Sequence, residues 1–193
     1  FVAGMSHDFL GTYEFIGTAA ENITSFGQTI GGDIMCNGVG GSVTLLDNIE
    51  VSGEIGLQNG TFDMAGFDVT AGEINANNGT ALRTIDFDNS TVIIMNSGTV
   101  LDLTGNTTNL TVTPGGATID FTNSGDITVE TGDEIKTIPP MTFSATDGNV
   151  RIITGGIEEP SKRITFGALV ASVDGVDFRV DGNNDNSNIK TYA

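Results

Sequence analysis

Apolar and polar residues alternate in many short stretches of this chain, which is the pattern of half-buried β-strands. One form of the pattern, an aspartate between two apolar residues, recurs along the chain: Phe62-Asp63-Met64, Ile85-Asp86-Phe87, Leu101-Asp102-Leu103, Ile119-Asp120-Phe121 and Val176-Asp177-Phe178. Residues 84–90 and 118–124 are identical at six of seven positions. Asn- and Gly-rich turns separate the strands. Short strands that recur at near-regular intervals predict an all-β fold, a parallel β-helix or β-solenoid.

The intervals between these strands predict the size of one coil. Successive aspartate-centred strands begin at Phe62, Ile85, Leu101 and Ile119. We therefore expect coils of roughly 16–24 residues with two or three strands each. Stacked coils would form a rod of about nine rungs and ~40 Å. The alternative is a β-sandwich, because short alternating strands with frequent turns also describe that fold.

The solenoid is predicted over residues 27–193, and residues 1–26 are left as an unassigned segment or a preceding coil. A longer pattern of apolar residues begins at Ile30 and recurs from Ile138 and from Phe166. Because the last copy begins close to residue 193, we expect the array to continue beyond it.

The charge of the chain restricts its partners. There are 25 acidic residues and 7 Lys or Arg, for a formal net charge of −18, and Arg83 is the first base. Such a chain is repelled by phosphate backbones and anionic membrane surfaces, so we do not expect nucleic-acid binding. The sequence has no run of 18 apolar residues, so we do not expect membrane insertion either. Scattered carboxylates are explained by solubility, by calcium or by a cationic partner.

Two reactive residue types are each represented once. Cys36 is the only cysteine, which excludes an internal disulfide, and its alternation with Ile34 predicts a core position. His7 is the only histidine and has no Ser or Cys motif around it. A Ser-His-Asp or Cys-His triad is therefore not expected.

The turn-and-strand strings resemble those of a known class of surface proteins. Residues 60–72 (GTFDMAGFDVTAG), 40–48 (GGSVTLLDN) and 99–106 (TVLDLTGN) are similar to strings in the repetitive cell-surface and adhesin-type proteins of gliding and related Bacteroidetes-type bacteria. The resemblance covers roughly residues 26 to 182. It implies secretion, a place at the cell surface or outside the cell, and a role in adhesion or gliding motility. The chain departs from the pattern at Cys36, where an aromatic residue is usual.

A carbohydrate-active β-helix enzyme is the first alternative. Glycosidic hydrolysis needs two carboxylates about 5 to 9.5 Å apart, and Asp86, Asp102 and Asp120 would supply a pair if their strands stacked on adjacent rungs. A repeated acid on a solvated strand face gives the same pattern without catalysis, so we expect no enzyme activity.

A calcium-dependent binding module is the second alternative. Asp181, Asn183 and Asp185 begin a run of alternating oxygen side chains that resembles a calcium loop, but the sixth-position Gly and the closing Glu are absent. Stacked threonines would suggest an ice-binding face, yet Thr111-Val112-Thr113 is an isolated Thr-x-Thr.

Taken together, the sequence predicts a structural or adhesive segment of a large secreted bacterial cell-surface protein, a stalk or adhesin. Its partners would be neighbouring repeats of the same polypeptide and a surface polysaccharide or other substratum, with no required cofactor. Affinity would come from many weak contacts summed along the array.

Overall fold

The computed structural model describes residues 9–78, 81–104, 107–132, 136–144, 148–154, 164–166, 168–171 and 178–182. Every strand pairing in these ranges is parallel. The described residues contain no α-helix, and a short 3-10 helix spans Thr107–Asn109. The predicted β-solenoid is confirmed. The β-sandwich alternative is wrong, because a sandwich is built of antiparallel strands.

The strands stack in three parallel ladders, one on each side of the coil. The first ladder contains β1 (Thr12–Phe15), the start of β4 (Asp33–Leu45), the middle of β5 (Ile49–Asp63), the end of β6 (Val69–Asn75), β9 (Gly98–Asp102), β12 (Ile127–Gly132), β15 (Val150–Thr154) and β18 (Phe178–Gly182). Within the described residues this ladder holds eight strands, and the solenoid has about six turns rather than the nine rungs expected from the sequence.

The second ladder follows the first around the coil. It contains β2 (Ala20–Ile23), the ends of β4 and β5, β7 (Arg83–Asp86) and β10 (Leu110–Thr113). Beyond β10, the strands β13 (Lys136–Ile138) and β16 (Ile164–Phe166) form a separate parallel pair.

The third ladder closes each coil. It contains β3 (Thr29–Ile30), the starts of β5 and β6, β8 (Thr91–Ile94), β11 (Thr118–Phe121), β14 (Met141–Phe143) and β17 (Leu169–Ala171). Because β4, β5 and β6 bend around corners of the coil, each of them contributes to two or three ladders.

The core is formed by columns of apolar side chains that point into the coil from each ladder. Since side chains alternate between the two faces of a strand, the same register that pairs the backbones also stacks these residues. In the first ladder the column is Ile34, Ile55, Ile74, Leu101, Val129 and Ile152, all of them buried. In the third ladder Phe121 and Phe143 stack with ring centroids 4.8 Å apart and planes at 8°.

Several sequence-based expectations can be placed on this fold. Cys36 is 2% exposed in the core, as predicted. The unassigned N-terminal segment contributes β1 and β2 to the first described coil. The spacing from Ile138 to Phe166 is a true coil length, because these two residues pair. The copy that begins at Ile30 is not equivalent to them, since Ile30 lies in the third ladder and pairs with Val51.

Candidate functional site

The outer side of the first ladder carries a column of acidic side chains on three consecutive coils. Glu54 pairs with Glu73, and the Glu54 backbone N–H donates to Asp33 Oδ1 at 2.9 Å. Thr12 Oγ1 donates to the other oxygen of Asp33 at 3.1 Å. No Lys or Arg precedes Arg83 in the sequence, so the strands that carry this column supply no base to neutralise it.

This acidic column changes the proton affinity of its own members. Partial burial raises the pKa of Glu54 above its ordinary value of 4.5, and the charges of Glu73, Asp33 and Asp102 raise it further. Burial likewise raises the pKa of Glu73, with added repulsion from Asp33 and Asp102. The cause is that desolvation and like charges both disfavour an ionised carboxylate.

The three acids considered under the enzyme alternative are not brought together. Asp102 lies in the first ladder, Asp86 in the second and Asp120 in the third. Their strands therefore do not stack on adjacent rungs, and the condition under which these acids would supply a catalytic pair is not met. The steps in sequence from one of these strands to the next carry the chain only part of the way around a coil.

Each of these three carboxylates has a local partner. Asp102 is 9% exposed and accepts hydrogen bonds from Asn77 Nδ2 at 2.8 Å and Thr104 Oγ1 at 2.6 Å. Asp120 Oδ2 accepts from Ser144 Oγ at 2.9 Å, and Asp86 Oδ1 from the Asp88 backbone N–H at 3.1 Å. Asp102 in particular is a buried structural acid, which its alternating sequence context did not reveal.

Asp86 does have an acidic neighbour, but it is Asp63, which pairs with it on the adjacent coil. Asp63 Oδ1 accepts from the Ala65 backbone N–H at 2.8 Å, the same turn-forming bond that Asp86 makes. The two carboxylates occupy equivalent places on one open strand face. Acid-base catalysis uses two carboxyl groups whose environments differ, and these two environments are alike.

The calcium candidate falls at the edge of the described chain. Asp181 belongs to β18, whereas Asn183 and Asp185 lie outside the described residues, as does His7. Within the described ranges, no three His, Cys, Asp or Glu side chains come together in a way that could hold a metal ion.

A small depression lies at the corner between the first and second ladders. Phe15, Cys36, Gly38 and Asn59 contribute to its lining, and its volume of about 10 Å³ has room for one water. Burial raises the pKa of the Cys36 thiol to about 12, with a further contribution from Glu21. The thiol therefore stays protonated at neutral pH and is a poor nucleophile.

The outer side of the second ladder carries two columns of small polar side chains, which we call the hydroxyl face. One column is Ser42, Thr61, Thr84 and Thr111, and the other is Thr44, Asp63, Asp86 and Thr113. All eight residues are partly or fully exposed. The sequence did not reveal these columns, because their members come from four different strands that are unequally spaced along the chain.

The known proteins give no independent indication of function. Comparison of the chain with family models, curated proteins and solved structures finds no match. Within the part of the chain that the structure describes, no helix has the length and apolarity of a transmembrane span.

Proposed function

We propose that this chain is a structural and adhesive segment of a large secreted bacterial cell-surface protein, acting as a stalk or adhesin in surface attachment or gliding motility. The observation that carries the proposal is the continuity of the first ladder, whose eight paired strands run from Thr12 to Gly182. A solenoid of this kind supplies length and stiffness through contacts between neighbouring coils alone.

The packing inside the coil supports a load-carrying role. In the first ladder the apolar column continues from Ile34 to Ile152, so each coil there buries the apolar residue of its neighbour. Polar side chains also link coils at the corner between the first and second ladders. There Asn59 Nδ2 donates to Asn37 Oδ1 at 2.5 Å, and Asn37 Nδ2 donates to Glu14 Oε1 at 2.7 Å.

The outer faces support binding by repetition. On the hydroxyl face, adjacent coils present similar small polar groups at equal spacing, so a substratum with its own repeat would meet many weak contacts at once. A net charge of −18 opposes nucleic acids and acidic polymers as partners. A neutral surface polysaccharide or another uncharged substratum is therefore the partner class that we propose.

The location is tested by antibodies raised against the folded chain. We expect them to label intact cells of the source organism, and we expect protease added outside the cells to remove the signal. Labelling that requires permeabilised cells, and that survives external protease, would contradict a surface position.

Two alternatives make different predictions. A calcium-dependent module would lose thermal stability on addition of a chelator, since a ligand that binds only the folded state raises the melting temperature. A carbohydrate-active enzyme would release reducing ends from a polysaccharide and would lose that activity when Asp63 or Asp86 is replaced by Asn. We expect an unchanged melting temperature with chelator and no release of reducing ends.

A further inference from the structure

The hydroxyl face is a regular two-dimensional array. Six of its eight side chains carry hydroxyl groups, and they occupy equivalent positions on four neighbouring strands. Parallel strands lie about 4.8 Å apart, and residues i and i+2 of one strand lie about 6.7 Å apart. The ladder register therefore places the eight residues near the points of a rectangular lattice.

The threonines on this face have side chains of restricted rotation, and three of them have hydroxyl groups that are available to a partner. A β-branched side chain has restricted rotation about χ1, so each Thr presents its methyl and hydroxyl groups in a limited set of directions. No hydrogen bond within the described residues engages the side-chain hydroxyls of Thr61, Thr84 or Thr111. These groups face the solvent as both donors and acceptors.

The two charged side chains on the face each form a hydrogen bond with their own turn. Asp63 and Asp86 are its only charged residues, and one oxygen of each accepts the backbone N–H two residues further along the chain. No aromatic side chain and no base lies among the eight positions. The face thus lacks both the stacking platform expected for a sugar ring and the cations expected for an acidic polymer.

The other two outer faces are different in kind. The first ladder presents the acidic column of Asp33, Glu54 and Glu73. The third ladder places Ile93 and Asp120 in one outward column, so its spacing repeats but its chemistry does not.

We infer that the hydroxyl face binds ice. Crystalline water is an uncharged partner whose oxygen atoms are both donors and acceptors, and their repeat along the a axis of hexagonal ice is close to the separation of parallel strands. A regular array of hydroxyl and methyl groups would match such a surface at several points at once. The isolated Thr-x-Thr at residues 111–113 is one row of this array, and the remaining rows come from other strands.

The inference goes beyond the proposed surface role and does not depend on it, because the purified chain alone would show the activity. The test measures thermal hysteresis and incorporation into a slowly growing ice front. We expect the unmodified chain to shape ice crystals and to enter the ice. Thr84→Tyr places a bulky ring at the centre of the face and should abolish both effects.

Thr118→Tyr is the matched control, because Thr118 is an exposed threonine on the third ladder, away from the hydroxyl face. We expect it to retain the hysteresis of the unmodified chain. Melting curves verify that both variants are folded, and Thr111→Tyr replaces Thr84→Tyr if the latter unfolds. An unmodified chain without hysteresis would overturn the inference, as would a folded Thr84→Tyr that retains it.

A polysaccharide provides the competing outcome. If Thr84→Tyr abolishes binding to beads of a neutral polysaccharide while no variant affects ice, then the face is a sugar-binding surface and the ice inference is overturned. Neither ice binding nor polysaccharide binding changes the antibody labelling of intact cells, so the proposed surface role is tested independently of this inference.

Discussion

Replacement of Gly38 by Ala should destabilise the solenoid through a clash between neighbouring coils. Gly38 lies in β4 at the corner between the first and second ladders, directly against Gly17 of the preceding coil. A Cβ atom on Gly38 would lie 1.8 Å from the Gly17 carbonyl oxygen and 2.9 Å from its carbonyl carbon. Since an ordinary contact begins at 3.4 Å, the two coils would have to move apart at this corner.

The magnitude follows from the rigidity of the groups that meet. Both atoms that the added Cβ would strike belong to the backbone, which cannot rotate away as a side chain would. Overpacking of this kind costs about 3 kcal/mol, at the upper end of its usual range. For a chain of this length, ~1 kcal/mol lowers the melting temperature by about 2–4 °C, so we expect a decrease of about 6–12 °C.

Gly40→Ala is the control, since Gly40 lies in the same strand but has open space for a Cβ atom and a strained backbone conformation. Gly40 has a φ of +74°, and an added Cβ would have no atom within 4 Å. The cost there is the left-handed backbone conformation alone, about 1 kcal/mol, or a decrease of about 2–4 °C. The two variants are compared by thermal unfolding followed by circular dichroism. A Gly38→Ala variant that melts at or above the temperature of Gly40→Ala would refute the close approach of the coils.

Three further predictions concern buried or clustered groups. The pKa values of Glu54 and Glu73 are raised above 4.5 in the folded chain, so the folded chain binds protons more tightly than the unfolded chain. Protonation of these two groups therefore stabilises the fold, and this stabilisation is lost as the pH rises through their folded-state pKa values. The melting temperature should therefore rise as the pH is lowered from about 7 to about 5. If the melting temperatures of the chain and of its Glu54→Gln/Glu73→Gln variant change in parallel with pH, the prediction is contradicted. The buried Cys36 thiol should react with a thiol reagent only after unfolding, and a native-state rate equal to that of free cysteine would show that it is accessible. Arg83→Ala should lower the free energy of unfolding, measured in urea, by about 3 kcal/mol, because it leaves a cavity and removes the donor to the Ala76 carbonyl oxygen. The control is Arg151→Ala at an exposed position, which should change the free energy of unfolding by about 0.5 kcal/mol or less. Equal losses from the two arginine variants would contradict a buried role for Arg83.

The fold class could be predicted from the sequence because period-two alternation and turn residues are local signals. The alternation around Ile85 and around Ile119 marked two strands whose inward residues are indeed buried. The stacking could not be read from these strands, since Ile85 and Ile119 belong to different ladders. The pairing of strands depends on how many residues each corner takes up, and the alternation carries no information about that.

A signal for the coil length was nevertheless present in the glycines. Gly11, Gly32 and Gly53 follow one another at equal intervals along the sequence. The same interval separates Ile34 from Ile55, its partner in the first ladder. Later coils break this spacing, because the step from Ile74 to its partner Leu101 is longer. The extra residues lie in the corners, so the period disappears from the sequence while the ladder continues.

The variable length of the corners is also the reason that the candidate surfaces could not be predicted from the sequence. The step from Thr84 to Thr111 is longer than the step from Thr61 to Thr84, so no fixed repeat in the sequence places the three in one column. Buried Arg83 was likewise invisible, because a base at an inward position interrupts the apolar pattern of its strand. Long-range register decides both features, and it is known only once the corners are known.

The parallel ladder has a mechanical consequence. Within the first ladder, every strand is bonded only to the strands of the coils directly before and after it. A force that pulls on one end of the rod would therefore detach one coil and leave the next intact. A released coil of about 20 residues straightens to about 70 Å. Under tension the rod would lengthen in separate steps, each of which dissipates energy, and a tether built this way would yield gradually before its attachment point breaks.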